Sequence, residues 1–187
     1  LGEFPALCVS GVLSLEDTFK LVVKRGQIMQ KVCEEIQAAS NGNAPGMTAV
    51  LGLSADQVKS LTENIKDAYP ANMNSSKQTV VSGTSEALEQ VEKVASEAGA
   101  RRAVRLKVAG PFHSPLMQKA ADEFKLVLEN IQFNDPKIHL YSNVTGKEIL
   151  SGNEAKENAV LHLTHPVLWT DEEDSLCKTI SLESDSE

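Results

Sequence analysis

The chain has 187 residues, of which 41% are hydrophobic and 24% charged, and its net charge is −8. This composition is typical of a soluble globular protein. The excess of acid and the low aromatic content of 4% argue against a nucleic-acid partner. No apolar run is long enough for a membrane span, so no membrane partner is expected either.

The first 46 residues predict two helices and a loop. Residues 1–11 form a short predicted helix that stops at Gly11. Ser14 is a suitable N-cap for a long amphipathic helix that runs to about Ala39, because acidic residues follow it and apolar residues recur at helical spacing. The stretch "SNGNAPG" (40–46) predicts a loop and a candidate domain boundary.

Residues 47–108 alternate short apolar runs with capped helical runs. The strands are predicted at "MTAVLGL", "KQTVVSG" and "RRAVRLKV", with a further strand near "PANMN". The helices are predicted at "SADQVKSLTENI" and "TSEALEQVEKVASEAG". The order βαββαβ predicts a small ferredoxin-like unit inserted between segments of a larger domain.

The remaining residues predict a helix, a strand and a tail. Ser114 is a natural N-cap and Pro115 suits the first helical position, so a helix is expected from there to about Ile131. The stretch "KIHLYSNV" (137–144) predicts a strand. The acidic residues 176–187 predict a disordered tail.

The cysteines and paired histidines give no sign of a metal centre. Cys8, Cys33 and Cys177 are scattered thiols, which suits a reducing compartment. His162 and His165 form an H-x-x-H pair, but no cysteine or carboxylate stands at ligand spacing. We therefore expect no metal site.

The stretch "VAGPFHSPLM" places His113 between a predicted strand and a predicted helix. In α/β sheets this is the crevice at the carboxyl end of a strand, where sites are commonly built. A histidine held there can act as a general base near neutral pH. The alternative is a histidine that serves only as a loop spacer or a satisfied hydrogen-bonding group.

Two further stretches bear on chemistry. Arg25, in "LVVKRGQIM", flanks the apolar stripe of its helix and is either an exposed side chain or a guanidinium directed into a cleft, where it could bind a carboxylate. The opening "LGEF" fits the end of a G-x-S-x-G nucleophile elbow whose serine would immediately precede Leu1.

Together these stretches resemble the malonyl-CoA:acyl carrier protein transacylases of fatty-acid synthesis. The resemblance rests on "LGEF", "GVLSLEDTFKLVVKRGQIMQ", "GMTAVLGL", "NMNSSKQTVVSG", "GARRAVRLKVAGPFHSPLM", "LYSNVTG" and "HPVLWT", which follow in the family's order. It implies an α/β fold: an incomplete α/β-hydrolase-like acyltransferase core (1–46 and 109–175) with an inserted ferredoxin-like subdomain (47–108).

The resemblance also implies roles for individual residues. His113 is similar to the catalytic base of a serine–histidine dyad, and Arg25 to the arginine that pairs with the malonyl carboxylate. The backbone N–H of Leu1 is similar to an oxyanion-hole donor. The residues similar to the family's substrate pocket are Phe112, Met29 and Asn74.

The reaction implied is the ping-pong transfer of a malonyl group from malonyl-CoA to the phosphopantetheine thiol of acyl carrier protein through a serine ester. The resemblance implies no bound cofactor and a monomer. It implies a cytoplasmic protein if the source is bacterial, and a mitochondrial or plastid protein if it is eukaryotic.

The sequence departs from the family at both ends. The nucleophilic serine, an N-terminal G-Q-G-S-Q stretch and a later G-P-G segment are absent from these 187 residues. We therefore expect this chain alone to be inactive.

One alternative is a truncated paralogue that binds acyl carrier protein without catalysis, through the basic residues Arg101, Arg105 and Lys107. A generic serine hydrolase is less consistent with Arg25.

Overall fold

A computed structural model describes residues 2–184, in which helices surround one small sheet. The order of elements is α1 (Glu3–Val9), α2 (Leu15–Ala39), β1 (Gly46–Leu51), α3 (Ala55–Thr62), β2 (Ala68–Ser75), β3 (Gln78–Gly83), α4 (Ser85–Glu97), β4 (Arg102–Arg105), α5 (Gln118–Leu128), α6 (Gly152–Leu161) and α7 (Trp169–Ser184). A single 3₁₀ turn (Pro115–Met117) precedes α5. None of the helices described has the length and apolar character needed to cross a bilayer.

Helix α2 begins and ends at the residues that the sequence predicts, whereas α1 is shorter than the predicted range of residues 1–11. The Ser14 side chain accepts a hydrogen bond from the backbone N–H of Asp17 at 3.0 Å, which caps α2. Gly11 has a φ of 80°, which the sharp turn between α1 and α2 requires and which glycine adopts without steric cost. This turn folds α1 back against α2.

The sheet lies in the middle of the chain and is antiparallel throughout, with the strand order β2-β3-β1-β4. The order strand, helix, strand, strand, helix, strand is the one that the sequence predicts. Helices α3 and α4 cover one face, where Val50, Val81 and Leu88 are buried. On the other face, buried residues such as Ala71 pack with Phe112, which precedes His113. The sheet therefore supports the loop that carries His113.

A second core joins α1, α2, α5 and α6. Its largest member is Phe124 of α5, which is fully buried and meets Phe4 of α1 edge to face at 6.0 Å between ring centroids. Leu21, Leu128 and Leu163 fill the space around them. This core holds the start of α1 against α2 and α5, and so fixes the position of the first residues described.

The structure differs from the predictions in four further places. Residues 137–144 form no strand, because the neighbours described offer only an isolated bridge between Tyr141 and Glu148, and a strand needs a partner to satisfy its backbone. The helix after His113 ends at Leu128 rather than near Ile131. The fourth strand ends at Arg105.

The fourth difference is the acidic end of the chain. Residues predicted to be a disordered tail are helical to Ser184, and the prediction for residues 185–187 lies outside the residues described. Helix α7 is held by the hydroxyl of Tyr141, which donates to Oγ1 of Thr179 at 2.7 Å. One turn earlier in α7, the Ser175 hydroxyl donates to the carbonyl of Gly146 at 2.6 Å. These two contacts hold α7 against the rest of the protein, although the acidic composition of its last residues predicts disorder.

Candidate active site

The loop of residues 110–114 holds His113 in a backbone conformation that non-glycine residues rarely adopt. Its φ is 57°, in the left-handed region. Two side-chain hydroxyls fix the loop: Ser114 donates to the carbonyl of Pro111 at 2.6 Å, and Ser82 of β3 donates to the carbonyl of Phe112. Such a conformation persists only where the surroundings enforce it, and it is common at functional sites.

Ser114 therefore acts differently from its predicted role as a helix cap. Its side chain makes no capping hydrogen bond to the 3₁₀ turn that follows, because its hydroxyl is already committed to Pro111. Pro115 does stand at the start of that turn, as predicted. The serine stabilises the histidine loop rather than the helix.

The ring of His113 is held by the backbone carbonyl of His162. Nδ1 lies 2.8 Å from that oxygen. Because a carbonyl only accepts hydrogen bonds, Nδ1 must carry the proton, which leaves the Nε2 lone pair available. Burial, reinforced by the charge of Arg25, lowers the pKa of His113 to about 4. At neutral pH the ring is therefore a neutral imidazole that can accept a proton.

A cavity of about 310 Å³ opens beside His113. This volume lies at the lower end of the range of about 300–1,000 Å³ that is common for ligand pockets. The other residues that line it are Tyr69, Pro70, Pro115, Gln118, Thr164, His165 and Pro166. His113 is thus both buried and accessible from one side.

Arg25 carries a guanidinium that is largely buried yet incompletely bonded. Its Nε is buried and has no hydrogen-bond partner, and its Cζ lies 5.8 Å from the ring centroid of Phe4. Burial lowers the pKa of Arg25, and the charge of Glu3 opposes that shift. A buried cation with an unused donor is suited to binding a carboxylate. Arg25 is half-buried, and it is not among the residues that line the cavity at His113.

Two residues near His113 were not predicted as site residues. Glu3 of α1 is buried, and its Oε2 accepts the backbone N–H of Asn143 at 3.3 Å. Burial raises the pKa of Glu3 to about 7. The His162 ring lies 4.9 Å from the His113 ring, and its Nε2 is 3.7 Å from Oε2 of Glu3. The only sequence signal was the H-x-x-H pair, and residues 2–184 contain no set of three side chains arranged to bind a metal ion.

The predicted pocket residues occupy different environments. Phe112 is half-buried between the sheet and a cluster that contains Cys33 and Met117. Met29 is half-buried on α2 against the same cluster. Asn74 is exposed near the end of β2 and is not among the residues that line the cavity at His113. The prediction for Leu1 lies outside the residues described.

The predicted basic stripe is only partly free. Arg105 points toward α4, where its Nε lies 2.8 Å from Oε1 of Glu92. Its neighbour Ala103 packs against the same helix-covered face of the sheet. Arg101 and Lys107 are exposed. Because Arg105 already has a carboxylate partner, it contributes less free positive charge than the sequence predicts.

Comparison with known proteins gives a consistent family match. Residues 1–182 match the acyl transferase domain family. The chain is 36% identical over 174 residues to the malonyl CoA-acyl carrier protein transacylase of Haemophilus influenzae, covering 91% of this chain and 54% of that protein. The chain spans about half the length of the curated relatives that it matches.

Solved structures agree. The malonyl CoA-acyl carrier protein transacylase from Coxiella burnetii superposes with a TM-score of 0.80 at 36% identity, covering 90% of this chain and 52% of that chain. A malonyl-transacylase solved in complex with a type II polyketide synthase acyl-carrier protein superposes with a TM-score of 0.84 at 30% identity, covering 95% of this chain and 56% of that chain.

Proposed function

The chain belongs to the acyl transferase domain family, and we propose that the protein that contains it transfers a malonyl group from malonyl-CoA to the phosphopantetheine thiol of acyl carrier protein. The observations that carry this proposal are a neutral, oriented His113 and a half-buried cation, Arg25, whose charge acts on the His113 ring. A base beside a carboxylate-binding cation suits the transfer of an acyl group that bears a second carboxylate.

The first half-reaction begins at a serine that the nucleophile-elbow pattern places immediately before Leu1. Nε2 of His113 takes the hydroxyl proton as the serine oxygen attacks the thioester carbonyl of malonyl-CoA. The C–S bond breaks, and the coenzyme A sulfur leaves with the proton returned by His113. The backbone N–H of Leu1 donates to the developing oxyanion. The product is a malonyl-serine ester.

The second half-reaction reverses these steps with another thiol. His113 accepts the proton of the phosphopantetheine thiol, and the resulting sulfur attacks the ester carbonyl. The C–O bond breaks, and the serine oxygen recovers the proton from His113. Because the same base serves both steps, it must be neutral before each step, and the pKa of His113, lowered by burial, keeps the ring neutral at the working pH.

Arg25 provides the preference for malonyl groups. The malonyl carboxylate satisfies the buried Nε of Arg25, whereas an acetyl group leaves that donor unpaired. A site built to pair a polar group discriminates strongly against a ligand that lacks its partner. Met29, on the same helix as Arg25, and Phe112 are both half-buried in one cluster, and they limit the size of the acyl chain. Asn74 would approach the substrate only from the exposed end of β2.

The fold is consistent with this assignment. We infer that residues 47–108 are a ferredoxin-like subdomain, because the observed strand order β2-β3-β1-β4 is the order of that motif. Residues 1–46 and 109–175 would be parts of an α/β-hydrolase-like acyltransferase core.

Acyl carrier protein would dock near the sheet edge at β4. Arg101 and Lys107 are exposed there and can attract an acidic partner. Arg105 would contribute less because Glu92 already neutralises it. Charge reversal of Arg101 and Lys107 should therefore weaken docking and reduce its salt dependence, and charge reversal of Arg105 should do so less.

These 187 residues alone contain no G-x-S-x-G sequence. We therefore propose that the isolated chain does not transfer malonyl groups, and that a protein in which G-x-S precedes Leu1 does. The reaction calls on no bound cofactor, and we propose that the protein acts as a monomer in the compartment of fatty-acid synthesis.

The test is malonyl transfer to acyl carrier protein by the naturally produced protein. The variant His113→Gln should abolish transfer, and His139→Gln, at an exposed histidine, should leave it unchanged. A His113→Gln protein that retains transfer would overturn the role of the base. Binding of carrier protein without any malonyl transfer would indicate the truncated, non-catalytic paralogue instead.

A further inference from the structure

The support of His113 depends on the position of His162, whose own side chain has no role in the proposed reaction. His162 lies immediately after α6, where its backbone N–H bonds the carbonyl of Asn158 at 2.8 Å. Its carbonyl then turns toward Nδ1 of His113. A small displacement of this residue would rotate or release the His113 ring.

The His162 side chain is buried without a hydrogen-bond partner. It is 1% exposed, and neither ring nitrogen is bonded within the residues described. Oε1 of Glu3 is also buried and has no hydrogen-bond partner among residues 2–184. Leaving such polar atoms without partners costs free energy in the folded protein. Two adjacent, unsatisfied groups therefore call for an explanation.

The two groups complement each other. Oε2 of Glu3 lies 3.7 Å from Nε2 of His162, inside ion-pair range and slightly beyond the usual hydrogen-bond length of about 3.2 Å. A carboxyl and an imidazole need only one proton between them to form a hydrogen bond, whichever of the two holds it. A small side-chain shift would close the gap.

We propose that Glu3 and His162 share one buried proton and act together as a positioning pair that holds the His162 carbonyl against His113. The inference rests on the proposed role of His113 as the base. Neither residue touches the substrate in this proposal, since they act only through the orientation and tautomer of the His113 ring.

The surroundings favour a shared proton over an isolated charge. Among the residues described, the titratable groups that act on the pair are Arg25 on α2, Glu172 on α7 and His113, and the backbone N–H of Asn143 donates to Glu3. Burial lowers the pKa of His162 and raises that of Glu3. Both shifts favour a neutral imidazole, and they leave the carboxyl near the point where it can either give or accept the proton.

The test is ¹⁵N NMR of the imidazole rings in this 187-residue chain. The sequence has four histidines, so each signal can be assigned by one substitution. In the unaltered chain, His113 should carry its proton on Nδ1, and Nε2 of His162 should be hydrogen-bonded: it either carries a slowly exchanging proton or shows the ¹⁵N shift of a nitrogen that accepts one from the carboxyl. This measurement needs no variant that might fail to fold.

The variants then separate hydrogen bonding from packing. Glu3→Met removes the carboxyl but keeps the volume, and should give a mixture of His113 tautomers and the loss of the slow proton. Glu3→Gln retains a hydrogen-bonding group and should restore the single His113 tautomer. The matched control is Glu148→Met, which removes the carboxylate of the exposed His139–Glu148 pair and should leave His113 unchanged.

The outcomes distinguish this inference from the proposed function. A His113 ring protonated on Nε2 in the unaltered chain would contradict its role as the base. A correct His113 tautomer with a His162 Nε2 that neither carries a slow proton nor accepts a hydrogen bond, or a Glu3→Met chain with an unchanged His113, would overturn the positioning pair and leave the base assignment intact. In the naturally produced protein, the same Glu3→Met substitution should lower the kcat of malonyl transfer with little change in KM.

Discussion

Replacing Arg25 by methionine should strongly reduce malonyl loading and change the stability of the fold very little. Arg25 is half-buried, its buried Nε has no hydrogen-bond partner among the residues described, and the charge of Glu3 acts on it. Methionine keeps the aliphatic stem and removes the charge. The substitution therefore isolates the cation from the packing of α2.

The magnitude for loading follows from the loss of a buried charge pair. Removing one partner of a buried, hydrogen-bonded pair costs about 2–5 kcal/mol. At about 1.36 kcal/mol for each tenfold change, malonyl loading should fall by about 30-fold to 5,000-fold. Acetyl loading should stay unchanged, because an acetyl group has no carboxylate for Arg25 to bind.

Folding should respond weakly. The variant loses the contact with Phe4, which is worth about 1–2 kcal/mol, and it relieves an unbonded buried donor that costs about 1–3 kcal/mol. The free energy of unfolding should therefore change by about 1 kcal/mol or less in either direction. Urea unfolding of this chain measures it, and Lys24→Met, at the exposed neighbouring position on α2, is the control.

The assay is the rate of acyl-enzyme formation from malonyl-CoA and from acetyl-CoA, followed by mass spectrometry on the natural protein. Equal losses for both substrates would refute the carboxylate role of Arg25. A loss of more than about 3 kcal/mol of folding free energy would show that the guanidinium serves the fold instead.

Three further predictions concern stability. Because burial lowers the pKa of His113 from 6.5 to about 4, the unfolded chain takes up protons first on acidification, so the free energy of unfolding should fall between pH 6.5 and pH 4. The pKa of Glu3 is raised from 4.5 to about 7, so Glu3 acts in the opposite direction over that window. Urea unfolding at several pH values measures both effects. The free energy of unfolding should fall less steeply with acidification in His113→Gln and more steeply in Glu3→Gln. A Cβ added at Gly110 would collide with Sγ of Cys33, so Gly110→Ala should cost about 1–3 kcal/mol, and Cys33→Ala should recover most of that cost in a double-mutant cycle; additive losses would contradict the collision. Phe124→Ala should cost about 3–5 kcal/mol by urea unfolding, since the ring is fully buried against Phe4, and a cost below about 1 kcal/mol would contradict its place in the core.

The local elements could be predicted from the sequence because their signals are local. Ser14 caps α2 through its own neighbour Asp17, so a few residues suffice to recognise it. The alternating strands and capped helices of residues 47–108 have the same character. By contrast, residues 137–144 have a strand-like pattern but no strand beside them among the residues described. Pairing depends on distant residues, which the pattern does not report.

The site was predictable only in part for the same reason. His113 and Arg25 stand out as residue types in unusual positions and in motifs that resemble the family. The contact that orients His113 comes from a residue 49 positions away and uses a backbone carbonyl, so the side chain of His162 gives no signal of it. Glu3 has the sequence position of an ordinary first-turn acid, and only the fold shows that it is buried.

The most direct measurement is the intact mass of the naturally produced protein before and after mixing with malonyl-CoA. We predict a mass well above the 20.2 kDa of this chain, a gain of one malonyl group, and the loss of that group when acyl carrier protein is added. A mass equal to that of this chain, with no malonyl adduct, would contradict malonyl transfer and direct attention to carrier-protein binding alone.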